Sequence, residues 1–132
     1  MHVRLRVGGE SYAFAVENVL EVAELGDVAP VPGSDECVLG VSNLHGEVMP
    51  VFDLASVFGI SREGAAQRLL VVEHDGRHAA LAIDEVVDVA ELPAPTEETE
   101  SALLHGAALD HGELVGMVDV ASLFRTLAGD DS

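Results

Sequence analysis

Short apolar runs separated by turn residues recur along this chain, and within most of them apolar and polar positions alternate. That period of two marks strands with one buried face. Met1 to Val7 alternates and ends in Gly8-Gly9; Tyr12 to Val16 alternates again, so the two read as a hairpin. Glu17 to Leu20 suits one helical turn, and Leu20 to Leu25 reads as extended. Gly26 to Glu36 carries Pro30, Pro32 and Gly33 and reads as a loop. Val38 to Leu44 and Glu47 to Phe52 flank His45-Gly46, a second hairpin signal. Asp53 is placed to cap a short helix, Leu54 to Phe58, that Gly59 stops. Ser61 to Gln67 is a polar connector.

The order then recurs. Leu69 to Val72 is a strand, Asp75-Gly76 a favoured hairpin turn, Ala79 to Ile83 the next strand, and Val86 to Leu92 the one after. Pro93 to Ser101 is an acidic loop. Leu103 to Leu109 and Glu113 to Val118 form a hairpin around Asp110-His111-Gly112, Asp119 caps a last helix ending near Leu127, and Gly129 to Ser132 is a tail.

The residues recur as well as the pattern. Shifted by 66, Gly40–Phe58 lands on Gly106–Phe124 with 8 identities in 19 positions, among them Gly40/Gly106, His45/His111, Gly46/Gly112, Glu47/Glu113 and Asp53/Asp119. Shifted by 67, Tyr12–Leu25 lands on Ala79–Leu92, with Ala13/Ala80, Ala15/Ala82 and Val22/Val89 through Leu25/Leu92 matched. A near-constant offset points to an internal duplication. The chain of 132 residues is therefore expected to be one domain, 1–132, with related halves at about 1–66 and 67–127. Each half holds about five short strands and one short helix. Five strands with tight turns suit a small barrel, which removes exposed sheet edges. A half alone buries little surface, so both should share an apolar core of Val, Leu and Ile with Phe14, Phe52 and Phe58.

Charge narrows the partners. Six Lys+Arg, all of them Arg, stand against 24 Asp+Glu, a formal net charge of −18. That field repels a phosphate backbone and anionic lipid, so neither nucleic acid nor direct membrane docking is expected. No apolar run approaches the roughly 20 residues of a bilayer span, and the first residues lack the apolar stretch of a signal peptide. A single cysteine, Cys37, excludes an internal disulfide framework. The expectation is a cytoplasmic protein.

Candidate chemistry is sparse. One Asp in each half invites comparison with two-carboxylate proteases, but Asp53 and Asp119 are followed by Leu54-Ala55 and Val120-Ala121, which open helices; helix capping is the expected role. His2, His45, His74, His78, His105 and His111 show no zinc-ligand spacing. Cys37 follows an acidic loop that raises a thiol pKa. There is no glycine-rich phosphate loop. No enzyme activity, metal or cofactor is expected.

The segment Val38-Leu39-Gly40-Val41-Ser42-Asn43-Leu44-His45-Gly46-Glu47-Val48-Met49-Pro50-Val51-Phe52-Asp53-Leu54, with Pro30-Val31-Pro32 before it, resembles the signature of the CheW-like family, whose pattern runs roughly V-x-G-x-x-N-L-R-G-x-x-x-P-V-x-D-L. Tyr12 to Val22 is similar to the family strand that ends in V-x-E-V. The resemblance covers about residues 3 to 127. It implies an all-β fold with short helices: two intertwined five-stranded SH3-like barrels sharing a hydrophobic core. It also implies a non-catalytic adaptor in chemotaxis signal transduction. Such adaptors couple a CheA-type histidine kinase, through the kinase's own CheW-like regulatory domain, to the cytoplasmic tip of methyl-accepting chemoreceptors, and so are recruited to membrane-associated receptor arrays. Weak self-association through like-on-like barrel contacts is a further expectation. The contact residues carried over are Val19, Glu21 and Val22, then Gly40, Asn43, Leu44, His45 and Gly46. The family usually has Arg where this chain has His45, a group that is near-neutral at pH 7 and reaches less far. That departure motivates an alternative, a divergent chemosensory-type pathway that does not control swimming.

Overall fold

The structure, a computed structural model, describes residues 1–61 and 64–129. Arg62 and Glu63 of the expected connector and Asp130 to Ser132 of the expected tail lie outside the described residues. Among the described residues, ten strands form two five-stranded sheets. The strands are β1 (His2–Val7), β2 (Glu10–Ala15), β3 (Val19–Glu24), β4 (Val38–Leu44), β5 (Glu47–Asp53), β6 (Arg68–His74), β7 (Arg77–Ile83), β8 (Glu85–Ala90), β9 (Leu104–Asp110) and β10 (Glu113–Val118). Helix α1 (Leu54–Phe58) follows β5 and α2 (Val120–Leu127) follows β10; a single 3-10 turn, Val16–Asn18, joins β2 to β3. Strand β8 stops at Ala90, two residues short of the expected end, and Leu92 packs from the loop beyond onto the first barrel's interior.

The first sheet runs β8-β1-β2-β10-β9 and the second β3-β6-β7-β5-β4. Under the repeat, β1 to β5 correspond to β6 to β10, so the two orders are the same order with one exchange: the leading hairpin of each half sits in the sheet built by the other half's last three strands. The exchange is made by two parallel pairings. Val115 to Met117 of β10 lie beside Ser11 to Ala13 of β2, and Val51 to Asp53 of β5 lie beside Ala80 to Ala82 of β7. The fold is mostly β: two intertwined five-stranded barrels of the SH3-like kind.

A shared core joins the barrels. Val3, Leu5, Val7, Tyr12 and Phe14 from the first sheet meet Leu70, Val72, Leu81 and Ile83 from the second, with Leu54, Leu123 and Phe124 of the helices closing the layer. Each barrel also has its own interior: Met49, Val51, Leu69, Val71, Ala80 and Ala82 in the second, and Ala13, Ala108, Val115 and Met117 in the first. Strands β6 and β7 are thus buried on both faces, which is why Leu69 to Val72 and Ala79 to Ile83 read as unbroken apolar runs. Strand β1 alternates because Arg4 and Arg6 occupy the face that Leu69 and Val71 fill in β6. Arg4 closes that face with a two-point contact to Asp88 (2.6 Å on each arm) and one to Asp110 at 3.1 Å.

The expected caps differ between the halves. At α2, Asp119 Oδ1 accepts from the Ser122 amide at 3.1 Å. At α1, Asp53 Oδ2 accepts from the Ser56 hydroxyl at 3.0 Å. Gly59 ends α1 in the left-handed region (φ 70°) and donates to the Ala55 and Ser56 carbonyls, as its position predicts. Phe58, the last residue of α1, stacks on Tyr12, with centroids 4.4 Å apart and planes 16° from parallel.

Candidate protein-docking site

Strand β3 forms one edge of the second sheet and the β4–β5 hairpin the other. The sheet curls until the two meet. Glu21 on β3 and His45 at the hairpin tip make an ion-pair contact, Nε2 to Oε1, at 3.0 Å. Two segments 24 residues apart, both carried over from the resemblance, therefore form one surface. Glu21 is held at this edge while its neighbours Leu20 and Val22 point outward, 49% and 44% exposed.

The hairpin tip is built from local chemistry. His45 (φ 54°) and Gly46 (φ 85°) both occupy the left-handed region that a two-residue hairpin turn of this hand requires. Asn43 stabilises the turn by accepting, through Oδ1, from the Gly46 amide at 3.0 Å. This leaves the His45 ring standing in solvent, with 77% of its side chain exposed.

The remaining carried-over residues go elsewhere. Val19 packs against the shared core, and Leu44 against the interior of the second barrel. Gly40 is buried beneath the Val28–Ala29 segment, whose backbone pairs with Val41 through two 2.9 Å bonds; a Cβ on Gly40 would sit 2.1 Å from the Ala29 carbonyl oxygen. The exposed set is Val22, Asn43, His45 and Gly46, with Glu21 half-buried beside them.

Sequence reading missed three contributors to this face. Leu20 and Val48 are large apolar residues left 49% and 65% exposed. Their signal was present in the repeat: Val87, Val89 and Leu114, which match Leu20, Val22 and Val48, are also exposed on the first barrel. The third is His78 on β7, whose two ring nitrogens each lie 2.9 Å from a carboxylate, Nδ1 from Glu47 and Nε2 from Glu73. The bonds to Glu73 and then Glu47 raise its pKa above the ordinary imidazole value.

Burial, followed by Asp35, Glu36 and Asp53, pushes the Cys37 thiol up, away from the reactive thiolate. A cleft of about 620 Å³ is lined mainly by the first barrel, among others by Ala13, Ala15, Met117, His2, His105 and Asp119. Among the described residues, no group of three or more His, Cys, Asp and Glu could hold a metal ion. No helix among them is long and apolar enough to cross a membrane.

Comparison with known proteins gives this geometry a setting. The CheW-like domain matches residues 2–128. The chain belongs to the CheW-like family. It is 30% identical over 128 residues to the chemotaxis protein CheW of Helicobacter pylori, covering 90% of this chain and 78% of that one. It is 32% identical over 118 residues to the protein FrzA of Myxococcus xanthus, covering 88% and 72%. Among solved structures, the scaffolding protein TtCheW of Thermoanaerobacter tengcongensis superposes with a TM-score of 0.77 at 28% identity, over 89% of this chain and 87% of the other. The arrangement of two barrels is thus the family's own.

Proposed function

We propose that this chain is a non-catalytic adaptor that couples a CheA-type histidine kinase to methyl-accepting chemoreceptors. The observation that carries the reading is the Glu21–His45 contact. It joins the two family contact segments into a single surface flanked by the exposed apolar residues Leu20, Val22 and Val48. A receptor tip is a pair of amphipathic helices, and a helix face docks on exposed apolar residues framed by charge. The kinase's CheW-like domain has a barrel of like shape, and the matching patch of Val87, Val89 and Leu114 offers the first barrel a second contact. Like-on-like contact of these patches also accounts for weak self-association. The repeat supports descent from a duplicated five-strand unit whose copies have since acquired separate partners. In this reading the protein works in the cytoplasm, held at receptor arrays by its partners.

The test is binding of the purified chain to the CheW-like domain of a CheA-type kinase and to a receptor-tip fragment. Wild type should bind at micromolar concentrations, and Glu21→Lys should weaken the receptor contact by about tenfold, the loss expected when a charge at a contact is reversed. No binding to either partner at those concentrations would sink the proposal. A second reading rests on His45, where the family pattern has Arg: the same adaptor geometry serving a chemosensory-type pathway that does not control swimming. Neighbouring genes for a receptor and flagellar control would count against that alternative.

A further inference from the structure

The two barrels fasten their outer hairpins with different chemistry. In the first barrel, Glu113 at the start of β10 receives the Ser11 hydroxyl from β2 and Arg6 Nη2 from β1 at 3.2 Å. Arg6 also contacts Ser11 Oγ at 3.4 Å and Glu85 at 3.7 Å. The repeat carries Glu113, Ser11 and Arg6 onto Glu47, His78 and Glu73. In the second barrel these three again touch, but the cation has moved to the middle: His78 bridges Glu47 on β5 and Glu73 on β6, 2.9 Å from each.

A neutral imidazole carries one ring proton and can donate to only one of the two carboxylates; the imidazolium donates to both. Loss of that proton removes one arm and leaves two carboxylates with no cation between them. Arg6 remains charged at any pH the protein meets. We propose that His78 is a positioning residue that clasps the β4–β5 docking hairpin when its ring is doubly protonated and releases it when the ring is neutral, whereas Arg6 holds the matching β9–β10 hairpin regardless of pH.

The surroundings agree. Glu73 and Glu47 are the charged groups facing the ring from β6 and β5; on its own strand, Arg77 lies over the Phe124 ring at 5.6 Å, and across from Arg77 on β6, His74 contacts Asp75 at 3.5 Å. The second grip on the hairpin is the Glu21–His45 contact at 3.0 Å, which reaches it from the edge strand β3. The folded-state pKa of His78 is raised above the ordinary 6.5. Its contribution is therefore complete below that value and is lost as pH rises through the folded pKa. The consequence for a partner rests on the proposed docking role; the clasp itself does not.

The test is amide hydrogen exchange on the whole protein across the imidazole range, corrected for the intrinsic pH dependence of exchange, together with an NMR titration of the His78 ring. Protection at residues 44–48 should fall several-fold as pH rises through the His78 midpoint, which should lie above 6.5, while residues 110–114 stay unchanged. His78→Gln should flatten the transition at the lower protection, and His78→Arg should keep the hairpin protected at high pH. A transition of equal size in both hairpins, one that survives in His78→Gln, or a midpoint at or below the ordinary value would overturn the clasp. If the clasp behaves as described while binding of the receptor-tip fragment by wild type and His78→Arg shows no difference at high pH, the clasp stands and the docking role of this hairpin falls.

Discussion

Gly40 and Gly106 occupy the same place in the two halves, and each lets a loop cross close over the first residues of a strand. Both have positive φ, 149° and 140°, and a Cβ would meet the Ala29 carbonyl oxygen at 2.1 Å in the first and the Glu97 carbonyl oxygen at 2.8 Å in the second. Gly40→Ala should therefore destabilise the protein by about 2–4 kcal/mol, from left-handed strain plus displacement of the Ala29 bridge. Gly106→Ala should cost less, and Gly46→Ala, where nothing lies within 4 Å, only about 1 kcal/mol. Urea unfolding measures the order, and equal costs at all three sites would contradict the steric account. The recurrence of these glycines was legible in the sequence; their close contact was not, because Ala29 and Glu97 lie about ten residues upstream in loops with no periodic pattern. Glu21 and His45 were both carried over from the resemblance, yet their mutual contact was hidden, since lateral closure of a sheet leaves no local signal. His78 was read only as one of six histidines without zinc-ligand spacing, for the same reason.

At the scale of elements, nearly every strand was legible because burial dictates the pattern that codes for it: alternation where one face meets the core, as in β1, and an unbroken run where both do, as in β6 and β7. Pairing across the halves was not legible. The parallel contacts of β2 with β10 and β5 with β7 depend on chain crossing, and no residue in those strands announces its neighbour. The helices give a sharper test. Burial pushes the Asp119 carboxyl up, but the Ser122 amide and hydroxyl, with His105 and Arg125, hold it below its ordinary value. A depressed carboxylate pKa stabilises the folded state above the ordinary 3.8 and loses that contribution as pH falls through the folded value. Asp119→Ala should remove about 1 kcal/mol of stability near neutral pH, and less than that in acid. Thermal unfolding at the two pH values checks it; a cost that does not shrink in acid would assign the loss to packing instead. Truncation of the core, by contrast, should be insensitive to pH: Leu81→Ala, fully buried between the barrels, should cost about 3 kcal/mol throughout.

The whole molecule carries −18, and two of its six arginines are spent on carboxylates within the fold: Arg4 on Asp88 and Asp110, Arg6 on Glu85 and Glu113. The surface left to a partner is therefore acidic with apolar islands. Association should be fast at low salt and slow by at least about tenfold between roughly 0.05 and 0.5 M salt, as screening removes the attraction to a basic face; stopped-flow mixing with the kinase domain gives the rates, and salt-independent association would leave the acidity without a role in recognition. The central claim is coupling: two surfaces on two barrels, each with its own partner. The most direct measurement is co-sedimentation of a CheA-type kinase with receptor-bearing membranes, with and without this chain. The account predicts that the kinase sediments with the membranes only when the chain is present, and that Glu21→Lys markedly reduces this, in line with a roughly tenfold weaker receptor contact, while leaving the chain folded. Kinase recruitment that is the same with and without the chain would contradict it.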